Sequence, residues 1–182
     1  MEEKTLAVLL LQKSVNRFGD AELLRFEGWI PRITNWSDHD SLVHYLIGPL
    51  VAAKPMRAKR LLRWAKKRGR WYRRAAAVGL IFGARQGMFA SEIMQVSNLL
   101  LDDEDEMVQK GLGWPLREWG KKSPAKAVSY LFTIRSSAPR LVLRTACEKL
   151  SAGERAATFW REPSAHARSP ARFAQTRAAW LE

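Results

Sequence analysis

Apolar residues return every three or four positions in segment after segment of this 182-residue chain, and nowhere do they alternate with polar ones over a sustained run. A 3.6-residue period lays one apolar stripe along a helix, whereas a period of two would line one face of a strand. The sequence therefore predicts helices and no strands. Leu6, Leu9, Leu10 and Val15 give a first helix over 3–17, broken by Gly19-Asp20. A second begins at Ala21, uses Leu23, Leu24, Phe26 and Ile30, and stops near Pro31. Ser37 is placed as the N-cap of a third, with Asp40 three residues on in capping-box spacing. That helix carries Val43, Leu46, Ile47, Leu50 and Val51 and ends before Pro55. Further helices are expected over 56–67, 70–84, 90–101 and 104–120, then from Ser123-Pro124 (Ser capping, Pro at the first helical position), from Pro139, and briefly after Gly153 to near Pro163. Helices of about 12–16 residues in pairs, returning every ~35–40 residues, predict an all-α HEAT-like helical-repeat solenoid, an α-α superhelix. Residues 1–162 form this domain. Residues 163–182, rich in Pro, Ser, Ala and Arg, read as a tail with room for one short helix around Phe173 and Trp180.

Charge narrows the partners. The formal net charge is +13, which points to nucleic acid or an anionic membrane. No apolar run approaches the ~20 residues of a membrane span, and the N-terminus is acidic first, unlike a signal peptide. The single Cys147 rules out an internal disulfide framework and fits a reducing, cytoplasmic setting. His39, His44 and His166 are too scattered for metal-ligand spacing, and no glycine-rich phosphate loop or G-x-S-x-G elbow occurs. An enzyme built on this chain is expected to work without a cofactor. From Lys54 to Arg74 there are eleven Lys or Arg and no acid, a run suited to neutralising phosphates. Lys67 and Arg70 crowd the turn between two of its helices, and Arg73 and Arg74 follow Trp71 on the second.

Residues 107–119, MVQKGLGWPLREW, separate into two faces. Val108, Leu112, Leu116 and Trp119 share an apolar one. Lys110, Trp114, Arg117 and Lys121 share the other, so Trp114 stands among cations, off the apolar stripe. Either a neighbouring helix buries that indole, or it faces a polyanion together with its basic neighbours. The acidic run DDEDE at 102–106 sits at the start of the expected 104–120 helix, where carboxylates favour the positive end of the dipole.

The run KGLGWPLRE at 110–118 resembles the lysine–glycine–tryptophan–leucine–arginine–glutamate signature of the bacterial DNA alkylation repair enzymes, the AlkD-like alkylpurine DNA glycosylases. WYRRAA at 71–76 resembles that family's W-x-x-R-A-A helix start, which puts Arg74 on its phosphate-binding arginine. Asn35-Trp36-Ser37-Asp38-His39-Asp40-Ser41 resembles its tryptophan–three residues–aspartate–serine element. The resemblance covers roughly residues 5–155. It implies that Trp36 and Asp40 flank the lesion nucleotide's sugar, with Trp114 as the second active-site tryptophan, and that Arg74 binds a phosphate. From the charge pattern itself, Arg73, Lys110, Arg117, Arg70 and Lys67 are expected to grip the DNA backbone with it. The implied activity is a monofunctional glycosylase, acting as a monomer on double-stranded DNA with alkylated purines and leaving the lesion stacked. Two departures stand out: Ser37 and His39 occupy positions where members often carry aspartate and valine, and about two helices precede the first motif where members carry more. A non-catalytic module of the same fold that binds bent, branched or damaged DNA stays open as an alternative. So does, more distantly, a protein-interaction scaffold.

Overall fold

The computed structural model describes residues 2–159. Among these residues every regular element is helical: α1 (Glu2–Gln12), α2 (Asp20–Trp29), α3 (Trp36–Leu42), α4 (Gly48–Ala53), α5 (Ala58–Trp64), α6 (Arg70–Val78), α7 (Ile81–Ala84), α8 (Ala90–Leu100), α9 (Glu106–Lys122), α10 (Pro124–Ile134), α11 (Arg140–Ala146) and α12 (Ala152–Phe159). The fold is all-α and repetitive, as the period predicts. The expected tail, 163–182, lies outside the described residues.

Several boundaries differ from the sequence reading, for local reasons. The first expected helix stops at Gln12 and resumes only as a 3-10 turn over Val15–Arg17. The third helix starts two residues earlier than Ser37 implies. Asn35 is the N-cap: its side-chain oxygen accepts from the Asp38 amide at 2.9 Å, while its amide donates to the Asp38 carboxylate at 2.8 Å. Asp40 therefore belongs to no capping box, and its carboxylate is released to turn inward. Between α3 and α4 the helix widens into a π-turn over Val43–Ile47, a device that re-aims side chains and recurs at functional sites. The expected 70–84 helix divides into α6 and α7 at Gly79-Leu80. Ser123 stands at the N-cap position of α10 without bonding through its side chain, and Pro124 opens the first turn.

The longest helix, α9, organises the packing, with α6 against one side and α11 against another, and α7, α8 and α10 around it. Its apolar stripe, Val108, Leu112, Leu116 and Trp119, is buried in the core that runs through the repeat. Small residues set the spacing. A β-carbon at Gly113 would sit 2.5 Å from Cβ of Thr145 on α11, and one at Gly111 2.9 Å from Cγ of Arg74 on α6. Gly113→Ala should therefore destabilise the domain by about 1–3 kcal/mol, because the obstructing atom is the stiff branch point of a threonine. The control is Gly28→Ala, where nothing lies within 4 Å. Thermal melts should show a lower Tm for the first variant only, and equal Tm values would contradict the close approach.

Ion pairs stitch the basic helices to their neighbours. Glu27 of α2 accepts from Arg60 at 2.6 Å, from the Trp64 indole at 2.8 Å and from Lys67 at 3.1 Å. The acidic run does more than complement a dipole. Asp105 caps α9 by accepting from the Met107 amide at 2.9 Å and pairs with Arg70 at 3.2 Å. Asp103 takes Arg73 at 2.5 Å. The basic α6 and the acidic entry to α9 are thus clamped together, which fixes the geometry described next.

Candidate active site

Three helices, α3, α6 and α9, bring their signature residues to one place. Asn35 sets the start of α3, so Trp36 occupies its first position with the indole exposed (58 %). One turn later Asp40 faces α6, where Arg74 meets it in a two-pronged grip: Nε donates to Oδ1 at 2.9 Å and a terminal nitrogen to Oδ2 at 2.6 Å. Such fork-to-carboxylate pairing fixes orientation as well as charge. Arg74 is itself buried (6 % exposed) and donates its remaining terminal nitrogen to the Met107 carbonyl. Room for its stem exists only because residue 111 lacks a side chain. His39 completes the grip from the other side, with Nδ1 at 2.8 Å from Asp40 Oδ1 and Nε2 at 2.9 Å from the Trp71 carbonyl.

Burial alone would favour the neutral acid at Asp40. The hydrogen bonds from His39 and Arg74, with their charges, outweigh it and hold the carboxyl below its ordinary value of 3.8. Glu27 and Glu118 behave alike: burial raises each, and the surrounding cations bring each below its ordinary 4.5. A carboxylate whose folded pKa is depressed binds fewer protons folded than unfolded. Its contribution to stability is therefore full above the ordinary value and is lost as the pH falls through the folded one. Melts taken from about pH 7 down to about pH 3 should hold a plateau in this respect until about pH 4, then show a falling Tm. A Tm rising through that acid range would contradict the three pairings.

Beside the carboxylate, His44 extends the row begun by Trp36 and Asp40 at four-residue spacing, into the π-turn. Its ring stacks on Trp114 of α9, centroids 5.6 Å apart and planes 20° from parallel. Arg85 lies 3.2 Å from His44 Nε2 and 3.4 Å from Glu118, the buried carboxylate that Lys121 also holds at 2.9 Å. Burial, followed by the Arg85 charge, pushes His44 below its ordinary 6.5, so the ring is neutral at pH 7. Arg85 donates to Nε2, which leaves the hydrogen on Nδ1. Both that nitrogen and the Trp114 indole nitrogen are buried without a hydrogen-bond partner among the described residues. Trp114 is half-buried, with the Arg117 guanidinium 6.0 Å from its ring.

The structure thus puts Trp36 and Asp40 on one run of α3 and links Trp114 to that run through His44. It places the expected phosphate contacts less uniformly. For Arg74 the sequence predicts a phosphate, whereas its guanidinium is buried and committed to Asp40 and Met107. Arg73 is engaged by Asp103, Arg70 by Asp105, Lys67 by Glu27, Lys110 by Glu106 at 2.9 Å and Arg117 by Glu148 at 2.5 Å. Lys66 and Arg68, at the turn between α5 and α6, are exposed and have no carboxylate partner among the described residues. His39, His44 and Arg85 are the neighbours that sequence reasoning passed over. The spacing Trp36, Asp40, His44 was the available signal for His44, and the departure from the motif at position 39 was the one for His39; no pattern marks Arg85.

Among the described residues no group of His, Cys, Asp or Glu is arranged to hold a metal ion, and no helix is long and apolar enough to cross a membrane. Residues 1–150 match the sequence profile of the DNA alkylation repair enzymes. The chain belongs to this DNA alkylation repair family. A solved structure described as a predicted DNA alkylation repair enzyme from Enterococcus faecalis superimposes with a TM-score of 0.71 at 20% identity, over 80% of this chain and 67% of that one. At such identity the likeness speaks for the helical-repeat fold alone. No curated protein matches significantly. Membership gives this DNA alkylation repair protein a role in DNA repair, with DNA as what it acts on.

Proposed function

We propose that this chain is a monofunctional DNA glycosylase that excises cationic alkylpurines, of the N7-methylguanine and N3-methyladenine type, from double-stranded DNA. The observation that carries the reading is an ionised carboxylate, Asp40, oriented by a buried arginine, one helical turn from the exposed indole of Trp36. Alkylation at N3 or N7 puts a positive charge on the purine and weakens its bond to C1′. When that bond breaks, its electron pair leaves with the base, which departs neutral, and the sugar becomes an oxocarbenium-like cation. Water then adds to C1′ and gives up a proton. A catalyst has to supply negative potential near C1′ and a place for that water, as carboxylates do in glycoside hydrolysis. Asp40 fits both tasks, and the π faces of Trp36 and Trp114 would add cation–π stabilisation of ~0.5–2 kcal/mol each.

Chemistry directed at the sugar needs no deep base pocket, so the lesion can stay stacked, unlike in enzymes that extrude their target. Arg74 acts here first as the residue that aims Asp40. Backbone contact falls to exposed cations around it, Lys66, Arg68 and Arg70 at the head of α6 and Lys110 on α9, with Arg73, Lys67 and Arg117 completing the basic border. These contacts set register without reading sequence. A HEAT-like array suits this, since its curved face can follow a duplex. The protein would work as a monomer, without a cofactor, in the cytoplasm at the nucleoid. The test is single-turnover incubation with a duplex carrying one 7-methylguanine, scored by the abasic site produced. An intact N-glycosyl bond after prolonged incubation at saturating protein would refute the reading.

A further inference from the structure

His39 has no counterpart in the chemistry above, yet its ring is fully buried between α3 and α6 and both nitrogens are engaged. A backbone carbonyl only accepts, so the contact with Trp71 fixes a hydrogen on Nε2. The second nitrogen faces Asp40 Oδ1 at 2.8 Å. Either Asp40 is a neutral acid donating to the ring, or the ring donates to a carboxylate. Arg74 decides between these: its Nε donates to the same Oδ1 at 2.9 Å and its terminal nitrogen to Oδ2 at 2.6 Å, a fork that matches the anion and opposes a proton on either oxygen. Nδ1 therefore carries a hydrogen as well. We propose that His39 is a doubly protonated positioning residue that pins Asp40 to α6 and fixes which carboxylate oxygen is left for substrate.

Each carboxylate oxygen has two lone-pair sites. Oδ1 receives His39 Nδ1 and Arg74 Nε and is saturated; Oδ2 receives one donor and keeps one site open. Oδ2 is thus the oxygen that meets the developing sugar cation or its attacking water. A buried imidazolium is costly unless paired, and the pairing is present: Asp40 lies against Nδ1, and the Trp71 ring stacks over the imidazole at 5.2 Å and 29°. Other charges nearby include Arg74, behind Asp40, the buried Asp38 one residue before, and Arg70, whose guanidinium lies 6.0 Å from the Trp71 ring. Without His39, Oδ1 and Oδ2 would each offer one open site and the carboxylate would lose its tie to the α6 backbone.

The catalytic consequence rests on the excision reading; the protonation does not. Nitrogen-15 spectra of the full chain near neutral pH should show both His39 nitrogens protonated, and a ring with one bare nitrogen would overturn the proposal whatever the activity. Side-chain amides then separate the two bonds. His39→Asn places an N–H close to the Nδ1 position and should keep 7-methylguanine release within about threefold of wild type. His39→Gln reaches toward the Trp71 carbonyl instead and should lose about ten- to a hundredfold, with duplex affinity unchanged. His39→Gln matching wild type while His39→Asn fails would show that the ring only packs α3 on α6. If wild-type protein releases no base, the glycosylase reading fails while the spectrum still decides the state of His39.

Discussion

Replacing Asp40 by asparagine will abolish release of 7-methylguanine from methylated duplex DNA, by about a thousandfold or more, while duplex affinity stays close to wild type. The substitution keeps the shape and removes the charge. The amide stabilises a sugar cation poorly and cannot take the proton of the attacking water. Its effect on binding is small because the carboxylate is tucked between α3 and α6 and paired with Arg74, while backbone contact rests on exposed cations such as Lys66 and Arg68. The variant also turns an amide N–H toward His39 or Arg74, both donors, so a lower Tm is expected and rates belong at a temperature where the protein is folded. Equal turnover by mutant and wild type would remove Asp40 from the chemistry.

Arg74→Ala carries the largest expected structural cost. The side chain is buried, neutralises Asp40 through two bonds, reaches the Met107 carbonyl, and fills the space left by Gly111. Truncation leaves a mostly buried carboxylate with His39 as its one ionic partner and opens a cavity between α6 and α9. Loss of one partner of such a pair costs about 3–5 kcal/mol. Arg74→Lys should recover only part of this, since an ammonium cannot span both oxygens as the fork does. Lys110→Ala provides the contrast: its exposed pairing with Glu106 at 2.9 Å, one helical turn away, is worth about 0.3–0.5 kcal/mol. Denaturant titrations of the three variants check the order, and an Arg74→Ala midpoint no lower than that of Lys110→Ala would overturn the account of α6.

The helical period was legible because each apolar stripe is local: Val108, Leu112, Leu116 and Trp119 could be placed inside without knowing their neighbours. Helix starts were less legible, because Asn35, Ser37 and Asp40 all carry capping groups and only the fold decides which one is used. The site was legible as motifs and opaque as contacts. Arg74 reads as a phosphate ligand in a run of eleven cations, yet its partner Asp40 lies 34 residues away, and nothing local announces the pair. The same holds for the acidic run, which looks like a dipole cap and also clamps Arg70 and Arg73. His39 reads as a departure from a motif; its two bonds, to Asp40 and to a carbonyl on α6, come from the packing of two helices.

The central claim is that an oriented, ionised Asp40, one turn from Trp36 and linked to Trp114 through His44, breaks the bond between sugar and alkylated purine. The most direct measurement is chromatography of the bases set free when wild-type protein and the Asp40→Asn variant are incubated in parallel with methylated duplex DNA. The account predicts 7-methylguanine and 3-methyladenine in the wild-type supernatant and neither above background with the variant. Duplex DNA bound by both proteins with no free alkylpurine from either would contradict it, and would leave a helical array that holds damaged DNA without repairing it.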